Sequence, residues 1–185
     1  IDLVQWQIRI AAGEPLPFLQ ESIVPRGWAI ECRITSEDFH NGFLPSTGRV
    51  TSLTIPAGPG IRWDGGVEVG SEVGLFYDPM LAKLIVHAEN SDAAIARMHR
   101  ALLELEIEGL ETSREFHLRM MEDAEFRSGD ITIQWLEARL PVISARRPPA
   151  EAIRAAVLAA ALLAERDRHA LSPQRIAAGA PVIAD

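Results

Sequence analysis

The stretch "PAGPGIRWDGGVEVGSEVGLFYDPMLAKL", residues 56–84, carries a lone arginine, Arg62, just past a Gly-Pro-Gly turn. A guanidinium is permanently charged, planar and able to give two parallel hydrogen bonds. A rigid turn that aims it into a cleft therefore suits a carboxylate, bicarbonate, phosphate or enolate oxygen. The same residue also reads as a strand arginine paired with Asp64 or Glu68 at a sheet surface. Both readings stand at this point. His40, His87, His99, His117 and His169 fall at spacings that make no metal site, so each is expected to be solvated or locally bonded. Cys32 sits in an alternating apolar run and reads as a small buried hydrophobe. Lys83 lies inside "MLAKLIVHAE" and reads as structural, its stem on apolar surface and its amine at the edge. There is no Walker-type phosphate loop, no Gly-x-Gly-x-x-Gly after a strand, no His-Glu-x-x-His and no nucleophile elbow.

The elements that must hold these residues follow from periodicity. "IDLVQWQIRIAAG" predicts an opening helix with Leu3, Ile8 and Ile10 buried, stopped at Gly13 and blocked by Pro15 and Pro17. "GWAIECRI" alternates, with Trp28, Ile30, Cys32 and Ile34 on one side, which predicts a half-buried strand. Turn pairs between Phe39 and Tyr77 punctuate short runs, the pattern of an antiparallel sheet with tight connections. "MLAKLIVHAE" closes the β region. Ser91 is expected to cap a helix with Ile95, Met98, Leu102 and Leu105 in one stripe. A second helix is expected from Thr112, with Thr112 and Glu115 at capping-box spacing, and "ITIQWLEARL" predicts a third with Ile133, Leu136 and Leu140 aligned. Strands followed by helices give an α+β domain over residues 1–140. Beyond it, "PVISARRPPA" reads as a linker, Pro149 suits a first turn, and "AEAIRAAVLAAALLAERDR" predicts a separate alanine-rich helix.

With 185 residues and 48% apolar content, the chain can bury one sizeable core and carry an appendage. A net charge of −8 without a dense basic cluster argues against nucleic acid or a polybasic membrane contact. The single cysteine excludes an internal disulfide and fits a reducing compartment. No window reaches the length of a spanning helix and no signal-peptide order opens the chain, so the cytoplasm is the expected location. The first residue, Ile1, leads straight into a helical pattern, and the chain is read as a piece of a longer protein.

Six blocks, "IDLVQWQIRIAAGEPL", "WAIECRITSED", "FLPSTGRV", "GPGIRWD", "YDPMLAKLIVHAENSDAAIARMHRAL" and "IEGLETSREFHL", resemble in order and separation the C-terminal part of biotin carboxylases. The resemblance is to the biotin carboxylase region of acyl-CoA carboxylase α subunits, such as those acting on acetyl-, propionyl- or methylcrotonyl-CoA. It covers roughly residues 1–140. Trp28, Phe39 and His40 depart from the family pattern, and altered loop packing without lost chemistry is expected there.

The resemblance implies an antiparallel sheet or half-barrel packed with helices, with residues 1–13 ending a preceding ATP-grasp region and residues 141–185 leading toward a subunit-contact region. It implies that the intact enzyme uses ATP, Mg and biotin to carboxylate biotin with bicarbonate, and that none of these binds tightly to this chain alone. Arg62 matches the family arginine that holds bicarbonate and stabilises the enolate-like oxygen of deprotonated biotin. Ile133 matches a residue against the adenine ring, Gln134 falls where some members have a histidine beside the nucleotide, and Glu108 falls where an acidic residue lies near the active-site arginines. The implied partners are the ATP-grasp domain, a biotin carboxyl carrier domain, a carboxyltransferase subunit and a second copy in a homodimer. By itself the chain is expected to be folded and inactive. A module serving only dimerisation or interaction, and the equivalent region of pyruvate or urea carboxylase, are the competing readings.

Overall fold

The computed structural model describes residues 1–145 and 150–171, in two units, Ile1–Ser144 and Ala145–Asp185. Helix α1 (Leu3–Ala11) is capped by Asp2, which accepts from Gln5 N at 2.9 Å, and Gly13 turns left-handed just beyond it with φ 89°. Eight strands follow: β1 (Trp28–Thr35), β2 (Glu37–Asp38), β3 (Leu44–Pro45), β4 (Gly48–Arg49), β5 (Ser52–Thr54), β6 (Ile61–Gly65), β7 (Glu72–Val73) and β8 (Met80–Ala88). Then come α2 (Ser91–Glu104), β9 (Glu106–Glu108), α3 (Arg114–Glu122), α4 (Ala124–Ser128) and α5 (Trp135–Ala145). In the second unit α6 spans Ala150–Leu171, as its alanine-rich sequence predicts. Pro149, assigned to a first turn, and residues 172–185 lie outside the described residues.

The expected α+β architecture is present. In the main sheet β8 is central, paired antiparallel with β1 on one side and β6 on the other. The remaining strands form three short antiparallel pairs, β2 with β3, β4 with β7 and β5 with β9, so hydrogen bonding is segmented and not one continuous ladder. One face of the main sheet buries Cys32, Ile34, Leu84 and Val86 against Ile95, Met98, Leu102 and Leu105. Each such aliphatic side chain contributes about 1.5–3 kcal/mol on burial. Because side chains alternate along a strand, this fixes Arg33, Arg62, Asp64 and Lys83 on the opposite face.

Several local expectations are corrected. Leu3, Ile8 and Ile10 are exposed, because helical spacing defines a side of a helix without supplying what covers it. Trp28, at the start of its strand, is also exposed. Asn90, not Ser91, caps α2 by accepting from Ala93 N at 2.9 Å. The capping box at Thr112 does not form, since α3 is entered through Ser113. The Ser113 hydroxyl is instead committed to β1, accepting from Thr35 N at 3.0 Å and donating to Arg33 O at 3.2 Å. A register shift between Ile34 and Thr35 releases Thr35 for that bond. Helix α5 starts at Trp135 and runs through Pro141 to Ala145, five residues into the expected linker. Ile143 is buried, and the buried Arg119 donates to Ile143 O at 2.9 Å, so tertiary contacts hold the turn that Pro141 weakens.

Candidate functional site

The Gly58-Pro59-Gly60 turn is fastened to the end of β8. Ile61 N donates to Gly58 O at 3.1 Å, and His87 N donates to Gly60 O at 2.9 Å. Arg97 of α2 donates to the His87 carbonyl oxygen and lies against Gly60. Gly60 has φ 73°, and an added Cβ would collide with both Arg97 and the His87 carbonyl. The turn therefore fixes where β6 begins, with Ile61 opposite Val86.

Ile61 and Trp63 pack toward the core, so Arg62 and Asp64 project together from the other face. Arg62 engages Asp64 with both prongs of its fork, Nε to Oδ1 at 2.8 Å and Nη2 to Oδ2 at 2.7 Å. The two side chains are 72% and 39% exposed. Hydrogen bonds from Arg62 hold the Asp64 carboxyl below the ordinary aspartate range, against a smaller opposing effect of burial, and Lys83 acts in the same direction as Arg62. Lys83 sits directly across from Asp64 on β8. A cavity of about 340 Å³ opens beside them, lined by Asp64, Gly65, Gly66, Met80 and Lys83 among others. Of the two partners weighed for Arg62, Asp64 is the one engaged. Glu68 instead uses its backbone N–H, which donates to Ser71 Oγ at 3.0 Å.

Glu108 ends β9, where its carbonyl accepts from Thr51 N at 2.9 Å, and it is among the residues lining a recess of about 290 Å³, with Glu106, Glu111 and Arg114. Ile133 and Gln134 lie in the turn before α5, with Ile133 93% exposed. The reading of Ile133 as helix core is therefore wrong: Trp135, two residues on, takes the inward position and meets Phe126 at 6.3 Å between ring centroids. Among the described residues no hydrogen bond or ion pair links Arg62 to Glu108, Ile133 or Gln134.

Three histidines are locally bonded as expected: His87 Nε2 meets Arg26 O at 2.8 Å, His99 Nε2 meets Glu122 at 3.2 Å, and His117 Nε2 meets Arg33 O at 2.9 Å. His169 has no described side chain. Cys32 is buried and its thiol is pushed up to about 12, first by burial and then by the Glu31 charge. Among the described residues no three His, Cys, Asp or Glu side chains gather as a metal site, and no helix is long and apolar enough to cross a membrane. Phe39, one of the departures from the family pattern, lies in the core, its ring centroid 5.5 Å from that of Phe43 and 5.6 Å from that of Phe116.

The profile of the biotin carboxylase C-terminal domain matches residues 31–138. A biotin carboxylase of Haemophilus influenzae is 46% identical over 140 residues, covering 76% of this chain and 31% of its own length. The biotin-dependent acyl-coenzyme A carboxylase alpha3 subunit of Mycobacterium leprae is 46% identical over 141 residues, covering 74% of this chain and 23% of that one. Among solved structures, the biotin carboxylase domain dimer of the Hydrogenobacter thermophilus 2-oxoglutarate carboxylase, in complex with MgADP, ADP and bicarbonate, is similar at a TM-score of 0.74. It is 41% identical, covering 80% of this chain and 32% of that one. The chain thus spans about a third of the length of the first curated relative it matches, 31%.

Proposed function

The chain belongs to the biotin carboxylase C-terminal domain family, and on that premise we propose that it supplies one wall of the active site of a biotin-dependent carboxylase. In this reading Arg62 holds bicarbonate and then steadies the negative oxygen that forms as biotin loses its ring proton. The observation that carries it is the two-pronged grip of Arg62 on a carboxylate, the geometry an oxyanion ligand requires. Its exposure supports a site completed by other protein. Ile133 and Gln134 would form part of the nucleotide wall; a fully exposed isoleucine fits the flat apolar face of a purine. Bound ATP with Mg would supply the phosphoryl group that activates bicarbonate. Glu108 would act at a distance on the charge of the site.

An ATP-grasp domain, a biotin carrier domain and a carboxyltransferase subunit are the proposed partners, with self-association through this region. The acyl-CoA type is favoured by the Mycobacterium leprae relative and by α6, whose Ile153, Val157, Leu158 and Leu162 are exposed on an alanine-rich helix. The 2-oxoglutarate and pyruvate carboxylases among the similar proteins define the competing acceptors. Comparing acyl-CoA with 2-oxo acids as acceptors in the assembled enzyme separates them. For the site, Arg62→Ala in the full-length subunit is expected to lower kcat for biotin carboxylation by about 10²–10³-fold, leaving nucleotide affinity intact. Unchanged turnover would overturn the assignment.

A further inference from the structure

We propose that Asn41 is a modification site: its side chain cyclises onto the backbone nitrogen of Gly42 and reopens as isoaspartate, which loosens the aromatic corner of the core held by this turn. In that reaction the Gly42 nitrogen attacks the side-chain carbonyl carbon of Asn41 and a C–N bond forms. The bond to the side-chain nitrogen breaks, and that nitrogen leaves as ammonia with the proton given up by Gly42. Water then opens the succinimide at either carbonyl, giving isoaspartate or aspartate. Water is the only co-reactant, and the chain gains a negative charge.

The chain has two asparagines, Asn41 and Asn90, and one Asp-Gly pair, Asp64 with Gly65. The fold treats them differently. Asn90 caps α2, its Oδ1 accepting from Ala93 N at 2.9 Å, and Ser91 already begins the helix. Asp64 lies in β6, where hydrogen bonds from Arg62 to both its oxygens keep it ionised and so a poor electrophile, and Gly65 is paired with Ala82. Asn41 is exposed and ends a single 3₁₀ turn, Phe39–Asn41. Gly42 follows with φ 68°, and beyond its chain neighbours no atom lies within 4 Å of where a side chain would begin. Its nitrogen therefore closes on Asn41 without a Cβ or a neighbour in the way. Asp38 restrains the Asn41 side chain, its Oδ2 accepting from Asn41 Nδ2. One exposed bond of this kind slows ring closure by roughly tenfold or less.

The rings on either side of the turn give the product its effect. Phe39 is buried and Phe43 half-buried, with centroids 5.5 Å apart, and Phe43 lies 5.3 Å from Phe116 of α3. Phe43 has φ 61°, in the left-handed region that bulky residues avoid. It is held there by its packed ring and by the bond from Phe43 N to Asp38 O at 2.8 Å. Isoaspartate adds a methylene to the main chain between these anchors and replaces a donor to Asp38 with a like charge.

The experiment ages the full-length carboxylase subunit at neutral pH and follows, by mass spectrometry of its peptides, the mass gain of amide hydrolysis at each asparagine. Asn41 is expected to convert at least about tenfold faster than Asn90 in the native protein. Isoaspartate, recognised by its methylation with S-adenosylmethionine and an isoaspartate methyltransferase, should exceed aspartate. Urea is expected to speed Asn90 by about tenfold and Asn41 by less. Asn41→Gln keeps the amide but would need a six-membered ring, so that peptide should stay unmodified. In the converted species, separated by its added charge, hydrogen–deuterium exchange is expected to be faster around Phe43 and Phe116 and unchanged in β8. Conversion of Asn41 only in urea, or no faster than that of Asn90, would overturn the site. Conversion with unaltered exchange would overturn the loosening.

Discussion

Arg119 lays its guanidinium against Phe39, 5.0 Å from the ring centroid, while lying almost wholly inside the protein. Two of its three nitrogens are engaged: Nε donates to Glu115 at 2.9 Å, and Nη1 to Ile143 O and Ser144 O at 2.9 and 3.4 Å. A buried cation is tolerated because these bonds replace water. The one side chain therefore joins the turn after β2, helix α3 and the last turn of α5.

Replacing it should be costly. Arg119→Met is expected to destabilise the domain by about 2–4 kcal/mol, because the buried carbonyl of Ile143 loses its donor and the Phe39 ring loses its cover. Glu115→Gln, at the exposed end of the same pair, should cost less than about 1 kcal/mol. Urea unfolding of both variants provides the comparison, and equal losses would contradict the buried carbonyl as the dominant effect.

Acid sensitivity follows from two groups. Burial would raise the Asp123 carboxyl, but Arg139 and the N–H groups of Phe126 and Glu125 outweigh it and hold it below the ordinary range. Its contribution is complete above the unfolded value of about 3.9 and is lost as pH falls through the lower folded value. His117 is pulled below its ordinary 6.5 by burial, with its bond to Arg33 O opposing. Its contribution is complete above that value and is lost on acidification below it. Asp123→Asn keeps a capping oxygen but loses the charge that faces Arg139, so it should cost about 1–2 kcal/mol at neutral pH and much less in acid, once the pH has fallen through the folded value. A pH series of unfolding curves whose difference stays constant would refute this account.

Cys32 should resist modification. With its thiol pushed up to about 12 and 3% exposed, iodoacetamide at pH 8 is expected to leave it unlabelled in the native chain and to label it fully in denaturant. Mass spectrometry after a timed pulse reads the difference, and rapid native labelling would mean that β1 opens from the sheet.

How much of this was legible in the sequence depended on whether a signal was periodic or long-range. The alternation of "AIECRI" and "LAKLIVHA" and the Ile95–Met98–Leu102–Leu105 stripe are repeated statements about one face, and the sheet and α2 assemble as they require. The hydroxyl of Ser113 serves a strand 78 residues away, at Thr35, and no local pattern carries that. Arg97 was equally invisible as a clamp on the turn before Arg62, since its partner is a backbone oxygen. Asp64 could be named beforehand because residues two apart share a strand face. Glu108 and Gln134 were singled out only through the likeness to the family, whereas Ile133 also stood in the expected stripe of the third helix, which instead starts at Trp135.

The position of β8 between β1 and β6 has a price in time during synthesis. Trp28 pairs with Ala88 and Thr35 with Met80, so the earlier strand emerges long before its neighbour exists. At ribosomal speeds of about 5–20 residues per second, the delay is roughly 3–10 s. Through that interval the nascent chain presents an oily, edge-open ribbon containing Cys32 and Ile34, a natural target for chaperones that shield newborn polypeptides.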